Sequence, residues 1–302
     1  AYTMKEGRAD ILLLGFHAGA ARDAEGVFSV ILKEMLIDAC SSPVAWVEWS
    51  NTMLLRMDDP GSAQRIYDLK FAASRTLSSH EWGSIGNILR ERDACLSVGY
   101  VPAWVDDGLP ENGRLQVNGK EVGRVPGKRY PSPYVHYEKF KAESGPVVCN
   151  YEDEFSGMID LIREGIISTE LHGYTHIFPD LDAWLHSEDR MTNVAWYREF
   201  GRRATAYAER LSSDEHPLTR GIRLFKELFQ RNPSTLIFPG EEFTVSAVRH
   251  AKERGIRQIG SYYLAMPVND QFCWNMHICS PYLDRADACH FDHALPVVCL
   301  LY

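Results

Sequence analysis

Two short stretches of this chain carry the residue types of a metal site. Asp58-Asp59 follows the strand-like run Thr52–Met57, and His172 and His176 follow the strand-like run Ile166–Leu171. One carboxylate with two imidazoles is a common three-ligand set for Zn²⁺ or a similar ion, leaving a position open for water. The i, i+4 spacing of the histidines also fits one face of a helix. Here Gly173 interrupts and Pro179 follows, so a strand-to-loop setting is expected, and the absence of a His-Glu-x-x-His motif disfavours a zincin protease. Asp106-Asp107-Gly108 is a rival carboxylate pair, read instead as a turn before an insertion, where Asp and Gly are common.

Bringing those stretches together requires a particular architecture. Strand-like runs at Thr52–Met57, Cys95–Trp104, Ile166–Leu171, Thr235–Phe238, Ile256–Ser261, Trp274–Cys279 and Pro296–Tyr302 alternate with helical patterns. The helical patterns are Gly83–Arg92, Glu154–Glu164, Asn193–Leu211, Thr219–Gln230, Thr244–Glu253 and a short one near Leu283–Cys289. That alternation predicts an α/β fold with a parallel sheet, either a barrel or a broad open sheet. In such folds the active groups lie just past the carboxyl ends of the strands, which places Asp58-Asp59, the two histidines and Phe238-Pro239-Gly240 on one rim.

Two stretches break the rhythm. Residues 109–140 are rich in Gly and Pro, and Asn118-Gly119 between alternating runs predicts a two-residue hairpin, read as an inserted flap. Residues 1–45, with a strand-like Ile11–Phe16 and a helical Val27–Ile37, read as the remnant of an upstream domain, and 46–302 as the main domain.

Composition narrows the partners. Lys+Arg 32 against Asp+Glu 41 gives a formal charge of -9, which disfavours binding to phosphate backbones. The longest apolar run, Ile11–Phe16, is far short of the roughly 20 residues of a membrane span. No charged-then-apolar leader opens the chain, which begins at Ala1. The seven cysteines include no Cys-x-x-Cys pair and read mostly as buried small hydrophobes, leaning toward a reducing, cytoplasmic setting while leaving an extracytoplasmic one open.

The motifs resemble the polysaccharide deacetylase family of the carbohydrate esterase family 4 type. Met57-Asp58-Asp59-Pro60-Gly61 is similar to its aromatic-Asp-Asp-Gly motif, and His172-Gly173-Tyr174-Thr175-His176 to its His-Ser/Thr-x-x-His motif, with Gly in place of the hydroxyl residue. Phe238-Pro239-Gly240 stands where the family has a Pro-rich motif with an Arg; that Arg is missing, and Arg56 is a candidate to supply its charge. The resemblance implies a distorted seven-stranded (β/α) barrel that binds a divalent metal, Zn²⁺ above all, through Asp59, His172 and His176. It makes Asp58 the general base and puts a backbone N–H near Gly240 at the oxyanion. The implied activity is hydrolytic removal of acetyl from an N-acetylated sugar or polysaccharide. Its leaving-group acid would be a histidine after the last strand; none follows Tyr302, so either the chain is truncated there or His277, His290 or His293 takes the role.

Aromatic residues suit a saccharide groove, because sugar rings stack on them, although buried Tyr and Trp serve cores as well. Tyr174, Trp104, Pro239 and Gly240 are the substrate-side candidates, with Tyr100, Tyr130, Tyr134 and Tyr137 near the second strand and the insertion. Two alternatives share these residues: hydrolysis of another non-peptide C–N bond, such as a small cyclic amide, and a non-catalytic glycan-binding module.

Overall fold

The computed structural model describes residues 2–6, 9–13, 54–67, 75–140, 146–186, 198–241, 243–260, 264–268, 271–275, 289–290 and 297–300. The chain divides into two compact units, Ala1–Ser50 and Asn51–Tyr302. In the first, Tyr2–Glu6 pairs antiparallel with Ala9–Leu13, which covers part of the expected strand; the expected helix Val27–Ile37 lies outside the described residues.

The second unit is α/β. Seven strands form one parallel sheet: β1 (Leu54–Asp58), β2 (Leu96–Tyr100), β3 (Ile167–Leu171), β4 (Thr235–Ile237), β5 (Gln258–Gly260), β6 (Cys289–His290) and β7 (Val297–Leu300). Their spatial order is β6-β5-β4-β3-β2-β1-β7. From β1 to β6, neighbours in sequence are therefore neighbours in space, as βα crossovers require, while β7 pairs with β1. Among the described residues no pairing joins β6 to β7, so the sheet is open along that line.

The crossovers follow local chemistry. Between β1 and β2 runs α1 (Ser79–Glu91), begun by a capping box in which the Ser78 hydroxyl accepts from the Glu81 N–H and the Glu81 carboxylate accepts from the Ser78 N–H. Into β3 leads α2 (Tyr151–Arg163), capped by Asn150 and carrying Glu152, Asp153 and Glu154 in its first turn, where acids suit the helix dipole. Between β3 and β4 lie α3 (Arg202–Ala208) and α4 (Pro217–Phe229), and α5 (Val245–Glu253) precedes β5 with Thr244 as its cap. Leu96, Val98, Met158, Leu161 and Ile167 form one core cluster, and Leu171, Leu218, Phe225, Leu236 and Ile259 another. No helix among the described residues is long and apolar enough to cross a membrane.

One strand expectation and one helical expectation are corrected. The segment read as Trp274–Cys279 contributes Gln271–Asn275, which pairs antiparallel with Leu264–Val268 rather than joining the parallel sheet. Its register sets Val268 opposite Gln271. The sixth sheet strand is instead Cys289–His290, at the end of a stretch read as helical.

Asn118 and Gly119 do make the expected hairpin turn, at φ 51° and 70°, between Gly113–Val117 and Lys120–Glu121. The hairpin is part of a four-stranded antiparallel sheet with Val135–Lys139 and Val147–Asn150. That sheet has a core of its own, in which Leu115, Val135, Tyr137 and Cys149 pack with Tyr67 and Trp104.

Candidate metal centre

The β1, β2 and β3 strands lie side by side, and the site is built where the outer two end. Asp58 closes β1, and Asp59 follows at φ 81° with its N–H donating to the Gly99 carbonyl at 3.2 Å. The turn is held from α2, whose buried Glu154 carboxylate accepts from the Gly61 N–H at 2.9 Å. His172 follows β3 and donates its N–H to the Tyr100 carbonyl at 2.9 Å. The chain then loops back so that His176, at φ 59°, faces the same point. Side chains rarely adopt this left-handed region, and such strain persists where the surroundings impose it, often at functional sites.

Asp59, His172 and His176 each offer one donor atom, and these atoms lie within 4.8 Å of one another. Both imidazole Nε2 atoms are 3.3 Å from the same Asp59 Oδ1, and the two rings are 4.8 Å apart between centroids. A tetrahedral Zn²⁺ with bonds of about 2.0–2.1 Å holds neighbouring donors about 3.3–3.4 Å apart, so the carboxylate-to-imidazole spacing fits such an ion.

Hydrogen bonding gives the same answer for His172. Its Nδ1 lies 3.0 Å from the Ile237 carbonyl, which can only accept, so Nδ1 carries the proton. In the neutral ring Nε2 then presents a lone pair to the Asp59 carboxylate, and only a proton or a cation between them makes that contact favourable. Burial pushes the His172 pKa down, but the hydrogen bond to Asp59 and the charges of Asp58 and Asp59 outweigh it, and the net direction is upward. Protons therefore compete with a metal for this imidazole. Affinity for a divalent ion is expected to fall as pH drops from 8 to 6, by up to about tenfold per unit for each imidazole proton displaced. Competition titration against a chelating indicator measures this, and affinity flat across that range would contradict it.

Asp58 is arranged differently. Its Oδ2 is 3.0 Å from Nη2 of Arg56, two residues back on the same strand face, and both side chains are almost fully buried. Gly99 on β2 gives Asp58 its room: a Cβ there would stand 2.7 Å from Asp58 Oδ1 and 3.4 Å from the His172 Cβ. A glycine inside a strand marks this kind of close approach, a signal the sequence held but which had not been attached to the site.

Glu199 is the other residue that sequence reasoning missed. It is 1% exposed, and its carboxylate accepts from the N–H groups of Tyr174 (2.8 Å), Thr175 (3.1 Å) and His176 (3.3 Å) and from the Thr175 hydroxyl (3.1 Å). Burial pushes its carboxyl above the ordinary range, against the pull of these hydrogen bonds. It also accounts for Gly173, at φ 75°, in place of the hydroxyl residue: a Cβ there would lie 2.3 Å from Glu199 Oε2 and 2.5 Å from Pro239 Cγ. No spacing in the sequence ties Glu199 to the histidines.

The remaining candidates separate. Pro239 is buried and packs beside Gly173, while Gly240, at φ 63°, is half-buried. Tyr174 lines a cavity with Arg129, Arg220 and Arg223. Trp104 is a correction: it is fully buried between Tyr67 and Tyr137, at 6.0 and 5.5 Å between ring centroids, so neither face is open to a sugar. Tyr100, Tyr130 and Tyr137 are buried as well, and Tyr134 is exposed. The rival Asp106 and Asp107 are buried and bound to Arg124 at 2.7 and 2.5 Å; they also accept from the N–H groups of Gly108, Leu109 and Val125. His277 and His293 lie outside the described residues, and so does the side chain of His290.

Comparison with known proteins finds no matching family model and no matching curated protein. Solved structures do match. The deacetylase domain of BpsB from Bordetella bronchiseptica matches over 82% of this chain and 71% of its own, at 9% identity and a TM-score of 0.38. IcaB from Ammonifex degensii matches over 70% and 84%, at 12% and 0.34. The chain is similar to polysaccharide deacetylases. A CE4 family pseudoenzyme from Bacillus anthracis also matches, over 70% of this chain, at 10% identity and a TM-score of 0.34; this chain spans 44% of that protein's length. What the site can do follows from its own donor geometry, not from likenesses this distant.

Proposed function

We propose that the chain is a distant polysaccharide deacetylase: a metal-dependent hydrolase that removes acetyl groups from an N-acetylated sugar or polysaccharide. The observation that carries this reading is the shared 3.3 Å approach of His172 Nε2 and His176 Nε2 to Asp59 Oδ1 at the carboxyl ends of β1 and β3. These three residues would hold the divalent ion, with Zn²⁺ the best fit to two nitrogens and one carboxylate oxygen. A bound ion of this kind lowers the pKa of water toward about 7 and polarises the acyl oxygen.

The chain's own residues supply the rest. Asp58 is outside the donor set and takes the proton of the attacking water as general base. Arg56 pairs with that carboxylate and aims it, and its charge is the one the sequence singled out. A backbone N–H near Gly240 serves the oxyanion, and Tyr174, Pro239 and Gly240 border the substrate. All of these groups fall in the stretch 46–302 read as the main domain, and the parallel sheet that carries them is compatible with a distorted barrel.

Acetate release from N-acetylated chitooligosaccharides, with and without a chelator, tests the reading. Release that stops with the chelator and returns with Zn²⁺ is expected. Full metal occupancy with no acetate released would favour a glycan-binding module instead. Turnover confined to a small cyclic amide would favour the other C–N hydrolase.

A further inference from the structure

A cavity of about 410 Å³ adjoins the histidine loop, lined by Arg129, Arg220, Arg223, Tyr130, Tyr174 and Glu227 among others. Tyr174 sits two residues from each histidine of the candidate centre. Arg220 and Arg223 lie about one turn apart on α4, and α4 reaches the loop at Gly221, where a Cβ would stand 3.1 Å from the Gly173 carbonyl. From the other side the Arg129 guanidinium lies over the Tyr174 ring, 5.7 Å from its centroid.

Three guanidiniums around one cavity repel each other, and proteins ordinarily set carboxylates between them. Among the described residues none of the three has a carboxylate within ion-pair distance. Arg220 donates only to the Asp214 carbonyl, at 3.3 Å, and the buried Nε of Arg129 has no acceptor among the described residues. Glu227 on the lining is the one acid, against three cations. Burial, the largest cause, and the nearby Arg220 pull the Arg129 pKa down, and the more distant Glu199 carboxylate offsets this only in part. Arginine clusters of this kind bind carboxylate, sulfate or phosphate through paired N–H donors.

We propose that this cavity is a subsite for an anionic substituent on a saccharide, a carboxylate or a sulfate or phosphate ester, and that it gives acidic chains preference over neutral ones. The proposal rests on reading the adjoining loop as a saccharide site, but its test does not need turnover.

The full chain is titrated calorimetrically at low and high salt with four probes: neutral chitotetraose, a tetrasaccharide of alternating glucuronate and N-acetylglucosamine, a sulfated N-acetylglucosamine tetramer, and inorganic sulfate. At low salt at least one acidic oligosaccharide is expected to bind about tenfold or more tightly than chitotetraose, since charge-assisted hydrogen bonds are about twice as strong as neutral ones. Which probe gains identifies the anion. The Arg220→Gln/Arg223→Gln double variant changes one half-buried and one exposed side chain; it is expected to shrink that preference to under about threefold, as lost charge-assisted contacts require. Its thermal midpoint and metal content should match the parent. Equal binding of acidic and neutral chains, a preference that survives in the double variant, or binding of inorganic sulfate alone would each overturn the proposal. Tight binding of an acidic chain with no acetate released would leave it standing and remove the hydrolase reading.

Discussion

Replacing Asp58 by asparagine is expected to leave the metal bound and to lower acetate release by about 10²–10⁴-fold, the usual worth of a positioned general base. The expectation follows from how two neighbouring acids are held. Asp59 Oδ1 faces both imidazole Nε2 atoms, whereas Asp58 Oδ2 is taken by the buried guanidinium of Arg56. The amide occupies the same space beside Gly99 but cannot accept a proton from water at neutral pH. Asp59→Asn should behave differently and lose metal together with activity. Metal content by elemental analysis and kcat by acetate release separate the two variants. Unchanged turnover in the Asp58 variant, or metal loss equal to that of the Asp59 variant, would mean the two acids have been assigned the wrong way round.

Glu199→Ala is expected to cost the protein both stability and metal. It leaves three backbone N–H groups of the 174–176 segment without their acceptor, each at about 1–3 kcal/mol when it stays buried. Because the same segment sets the position of His176, affinity for the ion should fall about tenfold or more, as loss of a supporting hydrogen bond commonly does at metal sites. Glu199→Gln keeps one carbonyl acceptor and should fall between alanine and wild type. Leu218→Ala is the control. It opens a cavity in the core cluster that includes Phe225 and Leu236, at a typical cost of about 2–5 kcal/mol, and removes none of the acceptors that the 174–176 N–H groups use. If the two alanine variants lose similar stability and also bind metal equally well, Glu199 is a packing residue and does not position the site.

Much of the parallel sheet was legible because β1 through β5 are short apolar runs with helical patterns between them, and chain order fixes their neighbours once crossovers are right-handed. The two halves of the candidate centre could be read for a related reason: strand ends are where such sheets present their polar groups. What failed depended on contacts distant in sequence. Trp104 read as a sugar platform because it sits near a Gly- and Pro-rich insertion, yet that insertion folds into its own antiparallel sheet and buries the ring. Gly99 was visible as a glycine within a strand, but only β-pairing shows that Asp58 lies opposite it. Glu199 had no local signal, since a buried acid is recognised by the N–H groups it collects. Gly173 shows the limit of comparing motifs letter by letter: it departs from the family pattern in sequence, and the space for a side chain there is taken by Glu199 and Pro239.

The most direct test weighs the ion itself. Wild type and His172→Ala, prepared side by side and dialysed against metal-free buffer, are compared by elemental analysis. About one equivalent of a divalent metal per chain in the wild type, and less than about a tenth of that in the variant, is the outcome expected of a three-donor site that loses one donor. Equal metal in both proteins, or none in either after loading with Zn²⁺, would contradict the account.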